Sequence, residues 1–139
     1  MHLETEKGVL INDPSDSTIA ETLAGLDGAA NSFAVLNADD AGTTYIQAAG
    51  GPTSFAVEYR EGDRHLRGED DDLPLDTVVR MFQDYARGGQ EWKGMVGWED
   101  ITREVGGRTS KAGCFPMLAG AIVAAAVLMV AAVWLAVSA

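Results

Sequence analysis

The sequence predicts an α+β domain followed by a single C-terminal transmembrane helix. Four short apolar or alternating segments lie between turn-forming residues in the first 70 positions, which is typical of an antiparallel meander. Two longer segments carry apolar residues at helical spacing. Every charged side chain lies at or before Lys111, and residues 112–139 carry none. We therefore expect an antiparallel sheet of four to five strands with two helices on one face, and then a membrane segment.

The first expected elements are a weak strand or hairpin and a helix. An apolar stretch, residues 9–11, follows a turn at Lys7-Gly8. Asp13 and Pro14 are suited to open a helix, with Asp as the N-cap and Pro at the first position. The apolar residues that follow have i, i+4, i+7 spacing: they are Ile19, Leu23 and Leu26. Gly28 is expected to end the helix.

The middle of the chain predicts four strands, which cover residues 32–37, 43–48, 54–60 and 64–67. Turn-forming residues separate them, which favours consecutive antiparallel pairing. The third strand places alternate apolar side chains on one face. The fourth is short, so we expect an edge strand, and His65 on it is interpreted as a solvated edge residue.

The second helix is expected to begin at Leu75 with Asp76 as its N-cap and to end at Gly88-Gly89. Its apolar stripe contains Val78, Phe82 and Tyr85, widened by Val79 and Met81. A last strand is expected around residues 95–98, flanked by Trp92 and Trp98. We assign the soluble domain to residues 1–103 and a flexible linker to residues 104–114.

The apolar tail is long enough to cross a bilayer, and the transmembrane helix is assigned to residues 115–138. Phe115 and Trp134 are 19 positions apart, about 28 Å along a helix, so the two aromatic side chains could lie at the two membrane interfaces. A buried helix of a soluble protein is the alternative, but so small a domain could not surround it. Cys114 would lie at the membrane boundary, as an inert thiol or a lipidation site.

The charge distribution predicts the orientation of the chain. The N-terminus lacks the apolar segment of a signal peptide. Arg103, Arg108 and Lys111 precede the apolar tail, and nothing charged follows it. The positive-inside rule then predicts a tail-anchored, single-pass membrane protein with a cytoplasmic domain.

Composition argues against several functions. A formal net charge of −11 is unfavourable for nucleic-acid binding, which needs clustered Lys and Arg. It is compatible with a basic protein partner, although a saline habitat or a GC-rich genome could also produce it. One cysteine cannot form an internal disulfide, and no residues have zinc-site spacing. Neither a catalytic set nor a cofactor fingerprint is visible, so we expect no enzyme, no cofactor and no metal.

The candidate partner-binding residues come from three features. Gln47 and Glu58 are polar residues of predicted strands and could lie on the open, wetter face of the sheet. The run of Glu69, Asp70, Asp71 and Asp72 lacks the ligand pattern of an EF-hand, so it is either a solvated loop or a landing site for Lys and Arg of a partner. Trp92 could belong to an interface or to the core.

Several stretches resemble a known family: TYIQAAG at 44–50, FAVEYREG at 55–62 and LPLDTVVRMFQDYARGGQEWKGMVGWEDI at 73–101. The last part resembles the C-terminal end of Imm1-like immunity proteins of bacterial polymorphic toxin systems. The residues that carry the resemblance are Phe82, Tyr85, Gly88 and Trp98-Glu99. This resemblance implies a binding module that covers a toxin's active site and performs no catalysis. The membrane tail departs from the typical cytosolic pattern.

Two function classes therefore remain. The first is a tethered protein-binding module, in its specific form an immunity protein that neutralises a toxin. The second is a structural or assembly subunit of a membrane complex, in which packing of the tail would matter more than the domain.

Overall fold

The computed structural model describes residues 1–106. In chain order its elements are β1 (His2–Thr5), β2 (Leu10–Asn12), α1 (Asp16–Ala24), β3 (Phe33–Asn37), β4 (Thr44–Gly50), β5 (Phe55–Glu61), β6 (Arg64–Gly68), α2 (Leu75–Ala86), a 3₁₀ helix (Glu91–Gly94), β7 (Trp98–Asp100) and α3 (Thr102–Gly106). The strands form one antiparallel sheet in the order β2-β1-β3-β4-β5-β6-β7.

The predicted α+β class is confirmed, but the sheet has seven strands where four to five were expected. The N-terminal hairpin supplies two of them, and β1 pairs with β3 across the intervening helix α1. At the other end, β7 pairs with β6 after α2. The strand 64–67 is therefore internal, and the prediction that it forms an edge is wrong.

α1 and α2 pack on the same face of the sheet, as the sequence predicts, and α3 is a third α-helix in the described part where two were expected. α1 and α2 share one core with alternate residues of the strands. The helix stripe of Val78, Met81, Phe82 and Tyr85 is buried, as are Ile19, Leu23 and Leu26. On the sheet side the core includes Leu36, Ile46, Val57, Tyr59 and Leu66. This apolar burial is the main favourable contribution to the fold.

The helix N-termini differ from the prediction. Ser15, not Asp13, caps α1, because its Oγ accepts a hydrogen bond from the Thr18 backbone N–H at 3.2 Å. Asp13 instead has a φ of 46°, a conformation that Asp tolerates better than most residues, and it ends the hairpin. α1 ends at Ala24 with Gly25 as its C-cap, three residues before the expected Gly28. Pro74 precedes α2 without a side-chain cap, which leaves Asp76 in the first turn.

The C-terminal part of the domain also differs in detail. The last strand begins at Trp98, three residues after the predicted start. Helix α3 includes the first three residues of the expected linker, 104–106. Within the described residues no helix is long and apolar enough to cross a membrane. The segment 115–138, with Phe115 and Trp134, lies outside the described residues, as do Cys114, Arg108 and Lys111.

Candidate functional site

Five residues with polar groups meet at the middle of the sheet face opposite α1 and α2. Gln47 on β4 lies directly across from Glu58 on β5, and Glu58 lies across from Arg67 on β6. Tyr45 and His65 flank this row on the same face, because strand side chains alternate with a period of two. We call Tyr45, Gln47, Glu58, His65 and Arg67 the polar centre.

The Glu58 carboxylate organises the polar centre. Its side chain is fully buried; Oε2 lies 3.0 Å from His65 Nε2, and Oε1 accepts a hydrogen bond from Arg67 Nε–H at 3.3 Å. Arg67 keeps 26% of its side chain exposed and supplies the compensating positive charge. These bonds tie β5 to β6. A buried carboxylate with both oxygens paired is stable, whereas an unpaired one would be costly.

Tyr45 closes one side of this arrangement. Its ring meets the His65 ring edge-on, with 6.0 Å between the centroids. Burial, followed by the nearby negative charge of Glu58, raises the pKa of Tyr45 to about 12. The hydroxyl therefore stays protonated at neutral pH.

Gln47 is the unusual member of the polar centre. It is only 1% exposed, and neither its Oε1 nor its Nε2 has a hydrogen-bond partner among the described residues. Buried polar groups are normally paired, because an unmade hydrogen bond in the interior costs about 1–3 kcal/mol. We therefore expect Gln47 to lower the stability of the domain.

Gln47 and Glu58 lie on the predicted face of the sheet, opposite α1 and α2, but the expectation that they are exposed there to a partner is wrong. Each residue is 1% exposed, so neither side chain is a surface contact. Glu58 is buried because β6 is an internal strand, and two β6 side chains, His65 and Arg67, bond to the Glu58 carboxylate.

His65 and Arg67 are the residues that sequence reasoning missed. His65 was interpreted as a solvated edge residue, yet it is 4% exposed and bonded to Glu58. Its backbone is also held from the other side, because its N–H donates to Thr102 Oγ1 and its carbonyl accepts from the Ile101 N–H. One signal was present: a tight turn at Gly62-Asp63 fixes the hairpin register that pairs Glu58 with Arg67.

Trp92, the third predicted contact, belongs to the core. It is 1% exposed, and its Nε1–H donates to the Gly89 carbonyl at 3.1 Å. The ring meets Tyr59 edge-on at 4.8 Å between centroids, and Trp98 packs against the same two rings. Of the two interpretations open from the sequence, the structure supports the core, because the 3₁₀ helix turns the indole inwards against α2 and β5.

The acidic run keeps its predicted exposure. Glu69, Asp70, Asp71 and Asp72, which we call the acidic loop, are all exposed. Two hydrogen bonds order the loop. Asp70 Oδ1 accepts from the Asp72 N–H at 2.8 Å within the loop, and Asp72 Oδ1 accepts from the Oγ–H of Ser54, which precedes β5, at 2.7 Å. Within residues 1–106, no Lys, Arg or His forms an ion pair with it.

The polar centre and the acidic loop differ in how far their polar groups are exposed to solvent. The described residues contain no group of three or more His, Cys, Asp or Glu side chains that could hold a metal ion. The His65 ring forms a hydrogen bond with Glu58, and both side chains are buried. The acidic loop, in contrast, presents four carboxylates to solvent.

By fold and surface, the described part is a two-layer α+β sheet domain with an exposed acidic loop. Searches against protein-family models, curated proteins and solved structures gave no match.

Proposed function

We propose that this domain is a protein-binding module for a basic partner, held at the cytoplasmic face of the inner membrane by residues 115–138. The observation that carries the proposal is the acidic loop. Its four carboxylates are exposed, one hydrogen bond within the loop and one from Ser54 fix its shape, and no cation neutralises it among the described residues. Such a surface attracts Lys and Arg side chains of a partner.

The charge balance of the whole domain supports this choice of partner. The described residues hold all 21 acidic side chains but only eight of the ten Lys and Arg. Four of those eight already pair with carboxylates: Arg64, Arg67, Arg87 and Lys93. The resulting negative field raises the association rate of a basic protein and falls with added salt.

The specific form of the proposal is an immunity protein that binds a toxin and covers its active site. The resemblance of residues 44–101 to Imm1-like proteins supports it, and so does the acidity, since many nuclease toxins are basic. The membrane segment would then place the binding domain where a toxin crosses or acts on the inner membrane. Membrane lipid is the second contact of the chain, through residues 115–138.

The test begins with the full-length chain, tagged at its C-terminus and solubilised from native cells in detergent. Co-purified proteins are identified by mass spectrometry, and association rates of a stoichiometric basic partner are measured at low and high salt. The loop variant Asp70→Asn, Asp71→Asn, Asp72→Asn keeps the acceptor oxygens and removes three charges. The matched control removes three exposed charges elsewhere: Glu21→Gln, Asp63→Asn and Glu91→Gln.

We expect the loop variant to associate about tenfold more slowly at low salt, with a flatter salt dependence, and the control to change much less. Equal rates for the loop variant and the unmodified chain would contradict the proposal. A partner that is toxic when expressed alone, and whose toxicity is abolished by this chain, would support the immunity form of the proposal. If recovery of partners instead requires the native tail and fails with an unrelated apolar helix, the chain is an assembly subunit.

A further inference from the structure

The N-terminal hairpin leaves an open sheet edge at β2. β2 is the outermost strand, so one of its sides has no strand beside it among the described residues. Thr5 N–H donates to the Val9 carbonyl, and Asp13 N–H donates to the Met1 carbonyl. Because bonded and non-bonded pairs alternate in an antiparallel ladder, the N–H and C=O groups of Leu10 and Asn12 point away from β1.

The same edge carries the exposed apolar side chains of the domain. Among the described residues, the exposed large hydrophobic side chains are Met1, Val9 and Leu10, and all three belong to this hairpin. Leu10 is 59% exposed and Val9 is 47% exposed. Natural edge strands are usually protected by Lys, Pro or a bulge, because an open edge templates pairing with another chain. No residue of β2 itself carries a charge.

We infer that β2 is a second interaction surface, which binds an extended strand of a basic partner protein by β-augmentation. Leu10 and Asn12 offer two N–H donors and two C=O acceptors to an added strand, and Leu10 offers an apolar contact. Three carboxylates lie near the edge: Glu4 neighbours Leu10 in the sheet, Asp13 follows β2 and pairs with the Met1 amino group, and Asp40 lies 3.8 Å from His2. They favour Lys or Arg on the added strand over a second copy of this acidic chain.

This surface is distinct from the acidic loop. Five strand spacings separate β2 from β6, the strand that leads into the loop, which corresponds to about 24 Å. The inference therefore does not depend on the proposed function. Either surface can fail its test while the other passes.

The probe is a synthetic decapeptide in which Lys alternates with Val, added to the isotope-labelled full-length chain in detergent micelles. Its matched control is the same peptide methylated on every backbone nitrogen, which keeps each side chain but donates no main-chain hydrogen bond. Amide chemical shifts and hydrogen exchange are followed at Leu10 and Asn12 and, for comparison, in the acidic loop. We expect the unmodified peptide to shift and protect the two β2 amides and the methylated peptide to leave them unchanged.

Two variants test the same point on the protein. Leu10→Pro removes an outward N–H that makes no bond to β1, whereas Leu10→Thr keeps that N–H and suits a strand. We expect Leu10→Pro to weaken peptide binding about tenfold and Leu10→Thr to change it less than about threefold. Protection of the Leu3 and Ile11 amides verifies that the hairpin is intact.

Three results would overturn the inference. The first is equal binding of the methylated peptide, which would show attraction by charge alone. The second is shifts confined to the acidic loop. The third is a dimer of the free chain in which the Leu10 and Asn12 amides are already protected, which would assign the edge to a second copy.

Discussion

Replacing Glu58 by Gln tests whether the polar centre stabilises the fold. Glu58 is fully buried and receives a hydrogen bond from Arg67 while lying 3.0 Å from His65 Nε2. Gln has nearly the same shape, but it offers only one acceptor oxygen. Its amide nitrogen would face one of the two groups that now bond to the carboxylate, and Arg67 would lose its counter-charge.

The magnitude follows from these contacts. Losing one hydrogen bond to a charged group costs about 1.5–3 kcal/mol. Breaking a fully buried ion pair costs about 3–5 kcal/mol, but Arg67 is 26% exposed and can regain water. We therefore expect Glu58→Gln to lower the free energy of unfolding by about 2–3 kcal/mol, a large part of the stability of a small domain.

The assay is urea-induced unfolding of the full-length chain in micelles, followed by near-ultraviolet circular dichroism of the packed Trp92 and Trp98 rings. Glu99→Gln is the matched control. Glu99 on β7 lies directly across from Arg67, on the side of β6 away from Glu58, but it is exposed. Glu99→Gln should change stability by less than about 0.5 kcal/mol. If Glu58→Gln also stays within that range, the hydrogen bonds of Glu58 do not stabilise the domain.

Two further predictions concern single side chains. Gln47→Met removes two buried, unpaired polar groups at similar volume, so we expect the urea midpoint to rise, with a gain of about 1–2 kcal/mol; a loss of stability would show that the amide is satisfied. Asp39 accepts hydrogen bonds from the Thr43 hydroxyl and N–H, which lower its pKa to about 2. Since the folded-state pKa lies below the unfolded value, the stabilisation is present above pH 3.8 and is lost as the pH falls towards 2. Asp39→Asn should therefore be destabilised by up to about 1 kcal/mol at pH 7, and its difference from the unmodified chain should shrink as the pH falls from 3.8 towards 2 in acid-unfolding curves, whereas a constant difference would contradict this reasoning.

Local features of the fold were predictable from the sequence because they depend on residues close in the chain. Phe55, Val57 and Tyr59 alternate and share the buried face, and the stripe from Val78 to Tyr85 is buried as its spacing indicates. The strand count was too low because the hairpin β1-β2 belongs to the sheet, which it joins through the pairing of β1 with β3 across α1. Such pairings have no local signal in a four- or three-residue strand.

The candidate site was less predictable for the same reason. The exposure of the acidic loop follows from its composition alone, because four adjacent carboxylates are too costly to bury. The burial of Glu58 and His65 depends on β7, which makes β6 an internal strand. A polar residue in a strand sequence therefore cannot be assigned to solvent until its neighbouring strands are known.

The structure separates the residues that hold the domain together from those available to partners. Glu58, His65 and Trp92 lie in the interior and bond to their neighbours, so their replacement should change stability. The acidic loop and β2 are exposed, lie towards opposite edges of the sheet and contribute little to the core. Charge-neutral variants of the loop and β2 variants that keep the hairpin should therefore change binding at nearly constant stability. A binding defect without a shift of the unfolding midpoint would identify a contact surface, whereas a defect that tracks the midpoint would report only loss of the fold.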